Sequence, residues 1–345
     1  MDFKVKVLMT GAGAPGGPGI IKALLKDPCI ELITCDADEM ASGRFLGIPF
    51  FKVPKANDEN FLDSILDLCL SNSVQVVFPL VTLELFRFAA HKERFNKFGI
   101  EIIVSDEFYL NIANNKRKLL DHLSNNGILV PEYRVATSFN EIENACKVLN
   151  YPNHNVVIKP SVSNGSRGVR VLTENISEYD LLFNEKPGNL FSNLGKIKEV
   201  LSGVNFPELI ITEFLPGEEY TIDTIVMNGK VKIVLPRKRL KMIGGISVAG
   251  KFVKNDGIMQ YCIDVIESMH LEGPIGVQVK ADYNGNFKIL EINPRIQGTS
   301  VAAMGAGVNL PVLSVLNALN IANFNIPINW NAGFVRHYEE LFYYD

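Results

Sequence analysis

The sequence predicts an α/β protein made of two or three structural sections, and three observations lead to this fold class. The 345 residues exceed a typical domain of about 100–200 residues. Strand-like and helical stretches alternate through the first third of the chain. A content of 47% hydrophobic and 21% charged residues is enough for packed cores and excludes wholesale disorder.

Residues 1–113 are predicted to form an open parallel sheet covered by helices. The run from Lys4 to Met9 alternates and then becomes apolar, as a strand does, and a glycine-rich turn separates it from an apolar-periodic stretch. Alternation of this kind is typical of a parallel sheet. The predicted later strands are 31–35, 74–78 and 101–104, and the predicted helices are 20–25, 60–70 and 83–98.

The turn Gly11-Ala-Gly-Ala-Pro-Gly16, followed by Asp36, outlines a dinucleotide-binding fingerprint. On this pattern alone, the protein is either a nicotinamide-dependent oxidoreductase or a protein with a tight structural turn. The second interpretation is favoured because Pro15 and Pro18 stiffen the segment and because the pattern also occurs in turns without a ligand.

The second section, 114–208, carries a lysine beside a loop of small residues. A buried strand at 156–159 ends in Lys159 and leads into the loop Ser161-Val-Ser-Asn-Gly-Ser-Arg-Gly168. Backbone N–H groups of such a loop, together with an ammonium group, suit a polyphosphate. The loop is not a Walker A sequence, and the alternative is a flexible hairpin with a solvated lysine.

The third section, 209–345, contains carboxylates on both sides of a Pro-Gly turn. A strand ends at Glu213 and a second strand begins near Glu219, and such acids can accept hydrogen bonds from an adenine amino group or ribose hydroxyls. A solvated hairpin is the alternative. The basic run Arg237-Lys-Arg-Leu-Lys241 follows a strand at 231–236, and charge runs are usually solvated faces.

The dipeptide Asn284-Gly285 between two strand-like runs predicts a hairpin with a type I′ turn. A two-residue loop pairs Tyr283 with Asn286. Counting back along both strands then places Gln278 opposite Glu291, with Cβ atoms about 5 Å apart.

Asn293 projects from the same face of the hairpin as Glu291, whereas Leu290 and Ile292 are predicted to point into the core. Three oxygen-bearing side chains therefore converge: Gln278, Glu291 and Asn293. Oxygen ligands of this kind suit a hard cation such as Mg²⁺, which usually shares them with substrate phosphates.

Several other chemistries are absent from the sequence. The five cysteines form no CxxC pair, the five histidines form no HExxH motif, and GxSxG does not occur, which argues against a disulfide framework, a zinc site and a serine hydrolase. The net charge of −4 disfavours general nucleic-acid binding. Residues 296–335 are uncharged but interrupted by Asn, Pro and Gly, so we expect no membrane span and a cytoplasmic protein.

Taken together, these motifs resemble the ATP-grasp superfamily and, more narrowly, its carbamoyl-phosphate-synthase large-subunit-like branch. The residues that carry the resemblance are, in chain order, Lys116, Lys159 with its loop, Glu213 with Glu219, and Gln278 with Glu291-Ile-Asn-Pro-Arg295. It covers nearly the whole chain, since Val7–Gly19 is similar to the opening of that branch's pre-ATP-grasp domain. The implied fold is a Rossmann-like pre-ATP-grasp domain (1–113), a small α+β lid with the phosphate loop (114–208) and a C-terminal α+β domain with the metal site (209–345).

The resemblance implies that ATP is the nucleotide. Lys116 and Lys159 match the phosphate-contacting lysines, and the loop with Ser163, Gly165 and Ser166 matches the segment that closes over the phosphates. Glu213 and the backbone of Leu215 match the adenine-binding hinge, and Glu219 matches the ribose-binding acid. One departure is Asn115, where many relatives carry Asp, and the nearby Lys118 leaves open which lysine contacts phosphate.

The resemblance also implies a metal site and an acid site. Gln278, Glu291 and Asn293 match the magnesium ligands, with Mn²⁺ as an alternative ion. Arg295 matches the arginine that steadies the transferred phosphate or acyl phosphate, and Arg237 and Arg239 are candidates for holding the carboxylate substrate.

The implied activity is that of a carboxylate–amine or carboxylate–ammonia ligase that uses Mg-ATP and an acyl-phosphate intermediate, with one phosphorylation site per chain. Its partners would be small molecules, with no nucleic acid and no membrane, and a homodimer is left open. Two alternatives remain: a carbamoyl-phosphate-type module that uses bicarbonate or carbamate, and a nucleotide-binding regulatory protein without catalysis. An oxidoreductase is disfavoured because it leaves the Lys159 loop and the 278–295 hairpin unexplained.

Overall fold

A computed structural model of the protein describes residues 4–163, 165, 167–184 and 190–344. The chain divides into two compact units. The first unit comprises residues 1–111, 219–278 and 292–345, and the second comprises 112–218 and 279–291. This division differs from the three predicted sections, which remain a prediction about domains.

The first unit opens with the predicted parallel sheet, in the strand order β3-β2-β1-β4-β5. Its strands are β1 (Val5–Thr10), β2 (Ile30–Asp36), β3 (Phe50–Lys52), β4 (Val76–Phe78) and β5 (Glu101–Ile102). The helices along this stretch are α1 (Gly17–Leu24), α2 (Phe61–Ser71), α3 (Thr82–Ala90), α4 (Lys92–Asn96) and α5 (Glu107–Ala113), with a 3₁₀ helix at Ser42–Leu46. All four strand pairings are parallel. The predicted α/β class is confirmed, although the helix predicted at 83–98 is divided at His91.

The second unit contains a mixed sheet in the order β6-β10-β7-β8-β9. Its strands are β6 (Tyr133–Ala136), β7 (Val156–Pro160), β8 (Arg170–Leu172), β9 (Phe191–Ser192) and β10 (Leu209–Glu213). Its helices are α6 (Lys116–Asn125), α7 (Phe139–Val148), α8 (Glu178–Phe183) and α9 (Leu194–Leu201). The strand β10, which ends at Glu213, pairs with β6 and β7 in antiparallel fashion and lies in a different sheet from the strand that begins at Glu219.

The third sheet has the order β15-β14-β11-β12-β13-β16. Its strands are β11 (Glu219–Met227), β12 (Lys230–Ile243), β13 (Ile246–Phe252), β14 (Gly273–Ala281), β15 (Phe287–Asn293) and β16 (Gly333–Val335). The helices α10 (Asp256–Glu267) and α11 (Leu310–Ala318) and a 3₁₀ helix at Ser300–Ala306 complete the chain. The sequence predicted that the basic run follows a strand at 231–236. Instead the run lies within β12, because that strand continues to Ile243.

The β14–β15 turn is not the predicted type I′ turn. Asp282 N donates to Asn286 O (2.9 Å) and Gly285 N donates to Asp282 O (3.1 Å), so three residues form the loop. Of Asn284 and Gly285, only Gly285 has a positive φ (+83°), whereas a type I′ turn needs two. The cause is the Asp282 carboxylate, which accepts hydrogen bonds from the backbone N–H groups of Asn284 (2.8 Å) and Asn286 (2.9 Å).

The predicted register is therefore wrong at the turn, where Asp282 rather than Tyr283 closes on Asn286. The pairing of Gln278 with Glu291 was counted from a two-residue loop, so it does not follow from the three-residue loop of the structure. Ile292 is buried as predicted, whereas Leu290 is only half-buried and Ile289 is buried in its place.

One hydrophobic cluster in the first unit contains residues from both the beginning and the end of the chain. It combines Val7 and Met9 of β1 with Leu235 of β12 and with Val312 and Val315 of α11. The second unit has its own core, formed largely between α7 and its sheet. Residues far downstream in the sequence thus pack against the parallel sheet.

In the described part of the chain, no single helix is long and apolar enough to cross a membrane, and only the pair Ser300–Ala306 and Leu310–Ala318, bent by 106°, meets that test together. None of the five cysteines, all of which lie in the described part of the chain, forms a disulfide; four are buried and Cys29 is half-buried.

Candidate active site

Lys116 is buried in the second unit, whereas Lys118 is exposed. Asn115 caps α6 by accepting a hydrogen bond from Lys118 N (3.0 Å), so the helix begins at Lys116. The Lys116 ammonium donates to the backbone oxygen of Ser163 (3.0 Å) and to its hydroxyl (3.3 Å). Of the two lysines, Lys116 is therefore the one attached to the predicted phosphate loop.

Lys159 lies on the central strand β7, opposite Ile210, and is 7% exposed. Burial and then the positive charge of Lys116 lower the pKa of Lys159 to about 8, and the Glu291 carboxylate opposes this shift. Burial also lowers the pKa of Lys116, again against the effect of Glu291. Two poorly hydrated ammonium groups, those of Lys116 and Lys159, thus share the negative charge of Glu291. A polyphosphate would supply the further negative charge that balances both.

The predicted phosphate loop follows β7 directly. Ser163 receives the Lys116 ammonium, and Gly165 adopts a left-handed conformation with φ +64°. Ser166 lies outside the described residues. The loop is therefore tied to Lys116 at the start of α6 as well as to Lys159 at the end of its own strand.

The Glu213 carboxylate is engaged by the protein itself. Its Oε1 accepts hydrogen bonds from Lys288 Nζ (2.7 Å) and from Glu132 N (2.7 Å). Although burial acts to lower the pKa of Lys288, the hydrogen bonds that its ammonium donates to Glu213 and Asp282 raise it. Leu215, which follows β10, is buried. The Glu213 carboxylate therefore stabilises the protein itself. The backbone at Leu215 is the part of this segment that is suited to binding a base.

Arg239 joins two predicted ligand groups in the first unit. Its Nη1 donates to the Glu219 carboxylate and to Gln278 Oε1 (3.2 Å). Its Nε donates to Ser247 Oγ (2.9 Å), and its Nη2 donates to the backbone oxygen of Gly245. Every guanidinium nitrogen of Arg239 has a partner in the protein, so Arg239 orients other groups and is poorly suited to receive a substrate.

Arg237, two residues earlier on β12, is fully buried. Its Nη2 donates to Asp223 Oδ2 (2.9 Å) and to Thr299 Oγ1 (2.9 Å). Asp223 also accepts hydrogen bonds from Ser300 Oγ (2.6 Å) and Gln297 Nε2 (3.3 Å). The segment that follows β15 is therefore tied to β11 and β12 by a buried polar cluster.

Arg295 lies beside the parallel sheet of the first unit. Its Nε donates to Thr82 Oγ1 (3.2 Å) and its Nη1 to Ile296 O (2.9 Å). Thr82 is the first residue of α3, just after β4. The carboxyl ends of such strands are where ligands of open α/β sheets bind.

The predicted metal ligands supply oxygen atoms only. Gln278 and Asn293 belong to the first unit and Glu291 to the second, and all three are half-buried. Carboxylate and amide oxygens are donors that fit Mg²⁺, and Arg239 directs the Gln278 amide oxygen. No group of three or more His, Cys, Asp or Glu side chains suited to a metal occurs among the described residues, as expected for one carboxylate and two amides.

The glycine turn after β1 is packed against the protein itself. A Cβ atom on Gly16 would lie 2.1 Å from the Gly298 Cα atom, so this glycine serves a close backbone contact. Asp36 Oδ2 accepts a hydrogen bond from Gly13 N (2.7 Å). Both halves of the apparent dinucleotide fingerprint thus have structural partners in the first unit.

Two family models match the chain. One, described as ATP-grasp in the biosynthetic pathway with Ter operon, matches residues 205–339, and the other, described as PylC-like N-terminal domain, matches residues 8–103. Residues 205–339 thus match an ATP-grasp family. The predicted ATP-grasp fold is confirmed by these matches.

Solved structures share the fold of this protein at low sequence identity. An ADP complex of N5-carboxyaminoimidazole ribonucleotide synthetase is 15% identical, with a TM-score of 0.69 over 96% of this chain and 79% of that one. A biotin carboxylase from Campylobacter jejuni is 14% identical, with a TM-score of 0.68 over 95% and 74%. An L-amino acid ligase from Bacillus licheniformis is 15% identical, with a TM-score of 0.63 over 92% and 74%.

Sequence reasoning missed three polar residues, of which Asp223 and Glu84 are buried and Lys288 is half-buried. Lys288 and Asp223 were not singled out because both sit in ordinary alternating strands. Glu84, on α3, accepts a hydrogen bond from the Thr10 hydroxyl, and burial raises its pKa to about 7. A charged residue at an otherwise apolar helix position was the available signal for Glu84.

Proposed function

We propose that this ATP-grasp protein is an ATP-dependent ligase that joins a carboxylate to an amine or to ammonia through an acyl phosphate. The observation that carries the proposal is the electrostatic group of Lys116, Lys159 and Glu291. Two desolvated ammonium groups that share one carboxylate form a receptor with unmatched positive charge. A nucleotide triphosphate satisfies that need.

In the proposed complex, Lys116 and Lys159 bind the nucleotide phosphates, assisted by the loop with Ser163, Gly165 and Ser166. The backbone at Leu215 binds the adenine, and Glu219 binds the ribose. Support for the first assignment comes from the hydrogen bonds that join Lys116 to Ser163.

Gln278, Glu291 and Asn293 are proposed to hold Mg²⁺, and Mn²⁺ would accept the same oxygen donors. When bound, the metal ion neutralises phosphate charge. Arg295 is proposed to steady the transferred phosphoryl group, since phosphoryl transfer depends mainly on positioning and charge compensation.

The chemistry proceeds in two displacements. A carboxylate oxygen of the acid attacks the γ-phosphorus of ATP, the bond from phosphorus to the bridging oxygen breaks, and ADP leaves. The amine nitrogen then attacks the acyl carbon, phosphate leaves with the electron pair of the C–O bond, and the nitrogen loses a proton. The named relatives, a synthetase, a carboxylase and an amino acid ligase, support the class of reaction.

The acid and the amine are proposed to be small molecules, in a cytoplasmic enzyme. Gel filtration with light scattering would test whether the enzyme forms a homodimer.

Hydroxylamine trapping tests the ligase proposal. The protein is incubated with ATP, Mg²⁺ and a panel of carboxylic acids that includes bicarbonate and amino acids, and both hydroxamate and ADP are measured. We expect hydroxamate and stoichiometric ADP with a subset of organic acids. Tight ATP binding without turnover on any acid would contradict catalysis, and ADP formation with bicarbonate alone would indicate the carbamoyl-phosphate type.

The matched variants are Glu291→Gln and Glu199→Gln. Glu199 is an exposed carboxylate of the second unit, on α9. Loss of a metal-binding carboxylate should raise the barrier by several kcal/mol, roughly 3 or more, so Glu291→Gln should lose ADP formation while keeping its melting temperature. Glu199→Gln should match the wild type, and turnover near wild type in Glu291→Gln would refute the metal assignment.

A further inference from the structure

The phosphate loop (161–168) begins at Ser161, which is 4% exposed and hydrogen-bonded through each of its polar groups. Its N–H donates to Glu208 O (3.0 Å), and its hydroxyl donates to Glu208 Oε1 (2.7 Å). Its carbonyl oxygen accepts a hydrogen bond from Lys116 N (2.8 Å). The base of the loop is thereby joined both to the residue before β10 and to the first residue of α6.

The register between β7 and β10 brings Glu208 to the loop. Leu209, the first residue of β10, pairs with Pro160 in antiparallel fashion, so the preceding Glu208 lies opposite Ser161. The other carboxylate oxygen of Glu208, Oε2, accepts a hydrogen bond from Arg117 Nη1 (2.5 Å) on α6. One carboxylate therefore holds the loop base and the helix at the same time.

The Glu208 carboxylate is ionised at neutral pH although it is partly buried. The hydrogen bond from Ser161, followed by the bond and charge of Arg117, lowers the pKa of Glu208 against the effect of burial. Hydrogen bonds to a charged group are stronger than neutral ones. An ion pair at the surface contributes little by itself, but here the same carboxylate also binds the hydroxyl of the buried Ser161.

The other end of the loop returns to the same place. Gly168 has a φ of +77°, and a Cβ atom there would lie 2.7 Å from Pro160 Cγ, so this end packs against the end of β7. Between the two ends, Val162 is 57% exposed and Arg167 is also exposed. The loop thus projects from a base at Pro160 and Ser161 that is held from both sides.

Lys116 contacts the loop at two levels. Its backbone N–H holds Ser161 at the base, and its ammonium holds the backbone oxygen (3.0 Å) and the hydroxyl (3.3 Å) of Ser163. A phosphate that binds the ammonium competes with Ser163 for the same donors. Once Ser163 is displaced, the contacts at the base keep the loop within reach of the phosphates.

We propose that Glu208 is a positioning residue that holds Ser161 against the start of α6, so that the phosphate loop closes over the nucleotide phosphates from a fixed base. The inference rests on the proposed ligase function and deepens it by naming the residue that prepares the loop for its ligand. A loop whose base is already ordered loses less conformational freedom when it closes, and this strengthens binding.

The first test measures amide hydrogen exchange in the ligand-free protein. In Glu208→Ala, the amide hydrogens of Lys116 and Ser161 should exchange about tenfold faster than in the wild type, because a charge-assisted contact at the base is lost. Glu143→Ala is the matched control and should leave both amides unchanged, since Glu143 is a partly exposed carboxylate of the same unit that pairs with Lys198. Equal exchange rates in Glu208→Ala and wild type would overturn the role of Glu208.

The second test separates positioning from general stability. Ser161→Ala should bind ADP about tenfold more weakly than the wild type but should bind adenosine, which has no phosphate, equally well. Ser161→Thr restores the hydroxyl and should recover most of the ADP affinity. The control Ser202→Ala removes a hydroxyl that bonds to Lys198 O on α9, and it should bind ADP normally.

Equal weakening of ADP and adenosine binding in Ser161→Ala would show a purely structural contact and overturn the proposal, as would an ADP affinity equal to that of the wild type. The ligase function fails separately. Loss of ADP affinity in Ser161→Ala without any hydroxamate in the trapping experiment would refute catalysis and leave the positioning role intact. Hydroxamate formation with normal ADP binding in Ser161→Ala would refute the positioning role alone.

Discussion

Arg239 and Glu219 form an ion pair in the first unit, and the same Arg239 nitrogen also donates to Gln278. The predicted ribose-binding acid and a predicted metal ligand are thus oriented by one guanidinium group. This makes Arg239 a positioning residue.

Arg239→Lys should raise the KM for Mg-ATP more than it lowers kcat. A lysine keeps the pairing with Glu219 but not the planar set of donors to Gln278 and Ser247, a loss worth about 1–3 kcal/mol. The measurement is steady-state kinetics at several Mg²⁺ concentrations, where excess Mg²⁺ should recover part of the loss. Lys241→Met, exposed on the same strand, is the control, and an unchanged KM in Arg239→Lys would contradict the role.

Lys116→Met should weaken nucleotide binding by about ten- to a hundredfold, because a charge-assisted contact contributes about 1.5–3 kcal/mol. Lys118→Met should bind normally, since that side chain is exposed and only its backbone N–H contacts Asn115. Calorimetric titration with ADP measures both variants. A larger loss in Lys118→Met would reverse the assignment of the phosphate-binding lysine.

Nucleotide binding should weaken above pH 8. The pKa of Lys159 is lowered to about 8 in the free protein, and phosphate would stabilise the charged form, so binding above that pH requires proton uptake. Affinity should fall by up to about tenfold between pH 8 and pH 9. Calorimetry in two buffers of different ionisation enthalpy should detect little uptake at pH 7 and close to one proton at pH 9, and no uptake at pH 9 would contradict the prediction.

Glu84 should make the protein less stable as the pH rises. Burial, reinforced by the Asp36 charge, raises the pKa of Glu84 to about 7 against the opposing hydrogen bond from Thr10. The native state therefore holds a proton that the unfolded state releases near pH 4.5, and stability falls between the two values by at most about 3 kcal/mol.

Glu84→Gln removes this titration. Its melting temperature relative to wild type should rise by a few degrees between pH 5 and pH 8. The exposed Glu93→Gln is the control and should show no such trend. A difference between Glu84→Gln and wild type that is the same at both pH values would rule out Glu84 as the titrating group.

Local patterns in the sequence were enough to predict the parallel sheet and the strand that ends in Lys159. They failed at the β14–β15 turn, where the Asp282 side chain holds two backbone N–H groups and overrides the preference of Asn-Gly. Arg237 pairs with Asp223 because of the register between β11 and β12, and it contacts the Phe334 ring because β16 joins the edge of the sheet. Alternation within one segment of sequence predicts neither contact.

The core of the first unit has a consequence for biosynthesis. Val7 and Met9 of β1 pack in one cluster with Leu235, Val312 and Val315. A nascent chain that has just completed β10 still lacks the downstream residues of this cluster. Long-range closure of this kind slows folding and leaves apolar surface exposed during translation, so early segments of this protein are natural clients for chaperones.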